Sequence, residues 1–212
     1  MRNFPINISV WCCFVNKELI VLQNDQQNKS MRAKISRVIM KMCGWKYIGA
    51  IPEVKKAVVI AVPHTSNWDF VWGKLAFLSH NIPTTVLMKK EMFVFPFNYI
   101  LKSWGVMPVD RSKKGNMTDQ LAKEFASRES LYLSLAPEAS RSLRPEWKRG
   151  FYFIALKAKV PIYLAEINYE EKTLSCGEAF YPTGNVDEDM LKIKSKYLNC
   201  KPKYPENFST GL

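Results

Sequence analysis

The sequence predicts one α/β domain, a mixed and mostly parallel sheet flanked by helices. Short apolar runs alternate with segments of helical period along most of the chain, the pattern of strands joined by crossover helices. At 212 residues the chain is long enough for a single well-buried core. Hydrophobic residues make up 47% and charged residues 24%, which excludes a disordered chain. There is no internal repeat.

The first thirty residues are set apart. Asn24 to Ser30 (NDQQNKS) has linker composition and Met31 follows it directly. Residues 1–30 therefore read as an N-terminal extension, such as a misassigned start would produce, and residues 31–212 as the folded domain. Ile35, Val38, Ile39, Met42 and Trp45 recur at offsets of three and four, one apolar stripe on a helix over about 32–47. Lys34, Arg37 and Lys41 cluster to one side. Such a helix either packs its stripe on its own domain or lies in a membrane interface, and the sequence leaves both open.

Ala57 to Val62 is an apolar run that reads as a buried strand. Thr65, Ser66 and Asn67 are good N-caps for a helix over Asp69 to His80. Thr84 to Met88 and Val106 to Val109 are short strands. Between them Met92 to Trp104 is very apolar, suited to the core, to lining an acyl chain or to touching a membrane, and Pro96 interrupts any helix there. Met117 to Ser127 is a helix with Leu121 and Phe125 stacked one turn apart. Leu131 to Leu135 is a buried strand, Gly150 to Ala158 a helix, and Pro161 to Ile167 and Thr173 to Phe180 are strands. Asp187 to Leu198 closes as a helix, acids first and lysines last, matching the macrodipole.

Lys and Arg total 31 against 19 Asp and Glu, a formal net charge of +12. That favours an anionic partner: nucleic acid, an anionic membrane, or a phosphorylated or acidic substrate carrier. No nucleic-acid motif is present and the basic residues are scattered, so no nucleic-acid partner is expected. Five cysteines without a C-x-x-C pair and only two histidines argue against a zinc site or a disulfide framework. Reduced thiols suit a cytosolic setting. No run of 18 apolar residues occurs, so no membrane-spanning helix is expected.

The chemistry centres on Pro63 to Asp69, PHTSNWD. This segment places an imidazole, His64, at the carboxyl end of a strand beside a helix N-terminus, with a carboxylate, Asp69, in the first helical turn. The helix end disfavours imidazolium, while Asp69 holds one ring nitrogen and leaves the other as an acceptor. That suits a general base acting on a hydroxyl, although many such histidines only cap a turn. The second histidine, His80, reads as a solvent-facing residue near a helix end. Two more segments follow strands, the side on which open α/β sheets bind ligands. One is GVMPVDR, Gly105 to Arg111, and the other PEASRS, Pro137 to Ser142. Val160-Pro161-Ile162 opens a further strand. Together they offer two guanidinium groups, Arg111 and Arg141, and the carboxylate of Glu138, a set suited to a phosphate-bearing alcohol.

In order and spacing, HTSNWD, GVMPVDR, PEASRS and VPI resemble the four sequence blocks of the glycerolipid acyltransferases, the lysophosphatidic acid acyltransferase family. The resemblance covers roughly Met31 to Ile167. It implies a glycerol-3-phosphate acyltransferase-like fold with His64 and Asp69 as the catalytic pair. It also implies acceptor binding by Gly105, Arg111, Glu138, Ser140, Arg141 and Ser142, and an acyl-donor side at Val160, Pro161 and Ile162. The expected activity is O-acyl transfer from acyl-CoA or acyl carrier protein to a lysophospholipid-type hydroxyl in phospholipid biosynthesis. It would need no metal or other cofactor and would take place in the cytoplasm, peripherally on the inner face of the cell membrane and its anionic surface. Pro63, Ala136, Ala139, Ser140 and Leu164 depart from the family pattern, so the acceptor could be another lysolipid or an aminoacyl-lipid hydroxyl. Two other classes stay in view. One is a lipid or thioester hydrolase using the same base on water, although no Gly-x-Ser-x-Gly elbow is present. The other is a non-catalytic basic module that binds lipid or nucleic acid.

Overall fold

Helix α1 spans 31–42 and stops where Gly44 takes a left-handed φ of +76°. The amides of Cys43, Gly44 and Trp45 close the turn onto the carbonyls of Ile39, Lys41 and Met40, a glycine-based helix end. The computed structural model describes residues 31–49, 52–109 and 117–212; the proposed extension, residues 1–30, lies outside them. The helix expected over 32–47 is thus shorter. Its last residues turn instead into a strand, β1 (Lys46–Gly49), paired in parallel with β7 (Thr173–Phe180).

The stripe on α1 also faces the other way from a packing face. Ala33, Ser36 and Met40 are buried, whereas Met31, Ile35, Val38, Ile39 and Met42 are exposed, Met42 to 82%. Trp45, expected on that stripe, lies past the helix and is buried.

Strand β2 (Lys56–Val62) is the middle of a seven-stranded sheet. It is flanked by β5 (Leu131–Leu135) and β6 (Ile162–Asn168), both parallel to it. Beyond β5 lie β3 (Thr84–Lys89) and β4 (Val106–Val109), also parallel. Beyond β6 lie β7 and β1, and only the β6–β7 pair is antiparallel. Successive β2 side chains point to opposite faces. Val58, Ile60 and Val62 join a core with Leu121 and Phe125 of α4 (Met117–Ser127), Ile154 and Ala155 of α5 (Gly150–Ala158), and Met190 and Ile193 of α6 (Val186–Ser195). Ala57 and Val59 pack on the opposite face against Phe77 of α2 (Asn67–Ser79), while Leu75 and Ala76 of α2 meet Met40 and Trp45. Burial on both faces explains why β2 reads as a continuous apolar run rather than an alternating one.

Three further differences from the sequence expectation stand out. A short helix, α3 (Phe97–Ser103), begins immediately after Pro96, where proline starts a helix as readily as it breaks one. In the apolar segment around it, Val94, Phe95 and Tyr99 are exposed. The last helix ends at Ser195, short of Leu198. His80 is the C-cap of α2, half-buried rather than solvent-facing, with its ring 4.3 Å from that of Tyr47. Among the described residues no helix is long and apolar enough to cross a membrane.

Candidate active site

The β2–β5 register pairs Ile60 with Leu135. Continued past both strands, it brings the turn after β5 alongside the segment after β2, and Glu138 meets His64 there. The His64 amide donates to Glu138 Oε1 at 2.8 Å. The other oxygen, Oε2, is buried without a hydrogen-bond partner. Burial raises the Glu138 carboxyl above its ordinary value, and the His64 amide offsets part of that rise.

Ser66 caps α2, its hydroxyl accepting from the Trp68 amide at 3.2 Å, and Asp69 completes a capping box. Asp69 Oδ2 accepts from the amides of Thr65 at 2.8 Å and Ser66 at 2.7 Å. Its Oδ1 accepts from the Tyr169 hydroxyl at 2.5 Å. His64 Nδ1 lies 3.4 Å from Asp69 Oδ2. The carboxylate side chain is 2% exposed and the imidazole 27%, so the acid is sealed while the ring is reachable. Nδ1 is the ring nitrogen that faces Asp69, and the tautomer protonated there has Nε2 as its acceptor. Asp69 therefore holds the loop by capping while lying beside the ring.

Tyr169 follows β6, and sequence reasoning missed it. Burial and the neighbouring Asp69 both push its phenol up, beyond the ordinary tyrosine range, so it acts as a hydrogen-bond donor. No sequence signal marks it, because the contact spans 100 residues and depends on where the β6–β7 hairpin turns. Tyr204 was missed for the same reason; its amide donates to Thr65 Oγ1 at 3.3 Å. Lys203 stands 5.9 Å from the Trp68 ring and 5.5 Å from that of Tyr204.

Of the other residues singled out in the sequence, Arg141 is brought to this edge, where its Nη1 donates to Asn67 Oδ1 at the start of α2. Ser140 and Ser142 lie on the same exposed loop, their hydroxyls 2.9 Å apart. Ala139 in that loop has φ +55°, a conformation that favours glycine. Arg111 lies outside the described residues.

Gly105 and Val160–Ile162 are placed at the opposite edge of the sheet. Ile162 is level with Val58 near the start of β2, and the Pro161 carbonyl accepts from the Val58 amide at 3.0 Å. Gly105 precedes β4 with φ +72°, where an added Cβ would stand 3.0 Å from the Thr84 carbonyl oxygen. Beside it Lys74 Nζ donates to Thr84 O at 2.5 Å. Burial, with Arg32 nearby, lowers that amine to about 8. Among the described residues no cluster of His, Cys, Asp and Glu is arranged to hold a metal.

A buried acid thus stands beside a reachable imidazole at the carboxyl edge of an open α/β sheet, the edge at which such sheets bind ligands. A family model described as Acyltransferase matches residues 15–165, and the chain belongs to that family. The resemblance noted in its four sequence blocks holds at this level, and the protein is an acyltransferase. The crystal structure of the 1-acyl-sn-glycerophosphate (LPA) acyltransferase PlsC from Thermotoga maritima shares the fold. Its TM-score is 0.60 over 88% of this chain and 87% of that one, at 14% identity. Comparison with curated proteins returns no match.

Proposed function

We propose that the protein transfers a fatty acyl group from a thioester donor, acyl-CoA or acyl carrier protein, to the hydroxyl of a lysophospholipid-type acceptor. The observation that carries this reading is the His64 Nδ1–Asp69 Oδ2 approach of 3.4 Å with Asp69 fixed by three donors. His64 Nε2 takes the proton of the acceptor hydroxyl as its oxygen bonds to the thioester carbonyl carbon. The C–S bond then breaks, and the departing thiolate recovers the proton from the imidazolium. Asp69 stabilises that imidazolium and keeps the ring in one orientation. Glu138 Oε2, with no protein partner, is a contact point for an acceptor hydroxyl or amine, and Arg141 is the described cation for an acceptor phosphate.

The same reading puts the enzyme on the cytoplasmic face of the cell membrane. The exposed apolar stripe of α1 meets the interface and Lys34, Arg37 and Lys41 meet anionic headgroups. Exposed Val94, Phe95 and Tyr99 offer a second apolar contact.

Incubation of the protein with a radiolabelled acyl thioester, with and without lysophosphatidic acid and other lysolipids, tests the reaction. Label appearing in a diacyl product is the expected result. Label released only as free fatty acid would make the enzyme a hydrolase.

A further inference from the structure

At the end of α2 remote from His64, the last turn of α1, the start of β1 and the α2 C-cap line a half-open cavity of about 240 Å³ with a largely apolar floor. Its wall carries Arg37, Lys41 and Lys46 together with Trp45, Tyr47 and His80, and no carboxylate. The chain from Met31 to Pro52 has no acidic residue. Among the described residues none of these three cations forms an ion pair. The 13 residues of α2 separate this cavity from the catalytic loop by about 20 Å at 1.5 Å per residue.

Helix ends explain part of the cation cluster. The carboxyl termini of α1 and α2 both approach the cavity, and each carries about half a negative charge. Together they offset roughly one of the three cations, and their last carbonyls are already occupied by the amides of Cys43, Gly44, Trp45 and His80. Arg37 Nε donates to the Ala33 carbonyl at 3.3 Å, an uncharged acceptor, so a surplus of positive charge remains without an anionic partner.

The position of α1 says where that surplus points. At about 100° per residue, Met31, Ile35, Val38 and Met42 fall within about 60° of one another, Lys34 and Lys41 lie along one border, and Arg37 stands about 40° further round, between that border and the buried face. A helix seated in a membrane by that stripe carries the cavity at headgroup depth. The volume equals about eight water molecules, room for a phosphate and a short polyol but not for an acyl chain.

We propose that this cavity is a second, non-catalytic site that holds the phosphate headgroup of an anionic membrane phospholipid. Arg37 grips the phosphate through its two Nη groups, its Nε being held by the Ala33 carbonyl, while Lys41 and Lys46 act as point charges. The proposal rests on the reading above that α1 lies on the membrane, and it adds selectivity for lipid charge and a fixed orientation of the enzyme on the surface.

Two measurements on the full chain test it. In the first, dihexanoyl phosphatidylglycerol below its micelle concentration is titrated into labelled protein. Saturable amide shifts at Gly44, Lys46 and His80 are expected, with dihexanoyl phosphatidylcholine giving none. Equal shifts with both lipids, or shifts confined to His64, Asn67 and Glu138, would overturn the site. The same shifts produced by inorganic phosphate at equal concentration would overturn the assignment to a lipid.

In the second, co-sedimentation with phosphatidylcholine vesicles, with and without phosphatidylglycerol, compares Arg37→Gln/Lys46→Gln with the remote pair Lys123→Gln/Lys196→Gln. At about fivefold per cation near an anionic surface, the cavity pair should bind the anionic vesicles roughly 25-fold more weakly and the remote pair should match the wild type. Equal weakening in both pairs would replace the site by diffuse attraction. Acyl transfer to substrate in detergent micelles should be unchanged in the cavity pair. Absence of transfer by the wild type in micelles would count against the enzymatic reading alone and leave the binding result standing.

Discussion

At its carboxyl end β2 runs into a loop whose amides are held by two carboxylates, Asp69 and Glu138. At its amino end it is paired with Ile162 and covered by apolar side chains. Carboxylates and an imidazole gather at the first end, lysines at the second. Helix α2 begins beside the carboxyl end, so its unpaired amides must find acceptors there, and Asp69 supplies one while also facing the imidazole. At the amino end the chain arrives from helix carboxyl termini and loops, and the charged groups there serve as anchors: Lys56 donates to the Phe125 carbonyl, Lys55 pairs with Glu129 and Lys74 pins Thr84. Two of the four sequence blocks thus converge on His64, while Val160–Ile162 and Gly105 serve the opposite edge.

Substitutions at the two edges should separate turnover from stability. His64→Ala should lower kcat by ~10²–10⁴ with little change in melting temperature, because the ring is partly exposed and its backbone amide still reaches Glu138. A variant retaining near-wild-type thioester turnover would remove the base from the mechanism.

Asp69→Asn should affect both properties. The amide cannot accept from Thr65, Ser66 and Tyr169 as the carboxylate does, at a cost of about 1–3 kcal/mol in stability. Losing even 1.4 kcal/mol of imidazolium stabilisation slows turnover about tenfold. Tyr169→Phe removes only one of the three donors, so denaturant melts and kinetics should place it between wild type and Asp69→Asn.

Glu138 sharpens the contrast between the two acids of the carboxyl edge. Burial raises its pKa above the ordinary 4.5, so the folded state binds the proton more tightly than the unfolded chain. Its contribution is therefore most favourable in acid and declines as pH rises through the folded value. Glu138→Gln keeps an oxygen for the His64 amide. Melting temperatures taken upward from pH 4.5 should decline less in the variant than in the wild type, while KM for the acceptor rises by roughly tenfold through loss of a charge-assisted contact.

At the amino edge, Ile162→Val should cost ~0.5–1.5 kcal/mol and leave kcat/KM for the thioester unchanged. A lowered kcat/KM without destabilisation would return this strand to the donor site and break the division between the edges. The smallest effect is expected for Ala139→Gly. Relief of the left-handed conformation, about 1–2 kcal/mol, is offset by the greater unfolded-state entropy of glycine, about 0.4–1 kcal/mol. A slight rise in melting temperature should result.

Much of this was legible in the residues. Strands β4, β5 and β7 and helices α4 and α5 fall where apolar runs and period place them, because sheet burial and helix amphipathicity write themselves locally. The turn at Trp45 was hidden because its spacing continues the α1 stripe by one more step; Gly44 was the signal against it. The outward direction of that stripe could not be read from period alone, which reports that a face exists and not what covers it. His64, Asp69 and Glu138 were accessible because each follows a strand closely. Tyr169 and Tyr204 were not, since their contacts are set by how distant segments dock.

The indole of Trp45 stacks on that of Trp72 at 4.8 Å, and Trp72 on Trp68 at 6.1 Å, a row that links the turn after α1 to the start of α2. Transitions on rings this close mix, so the native protein carries its own chromophore, readable by near-ultraviolet circular dichroism and erased when fixed packing is lost. An added dye is unnecessary: a vesicle or substrate that shifts either end of the row announces itself in that spectrum.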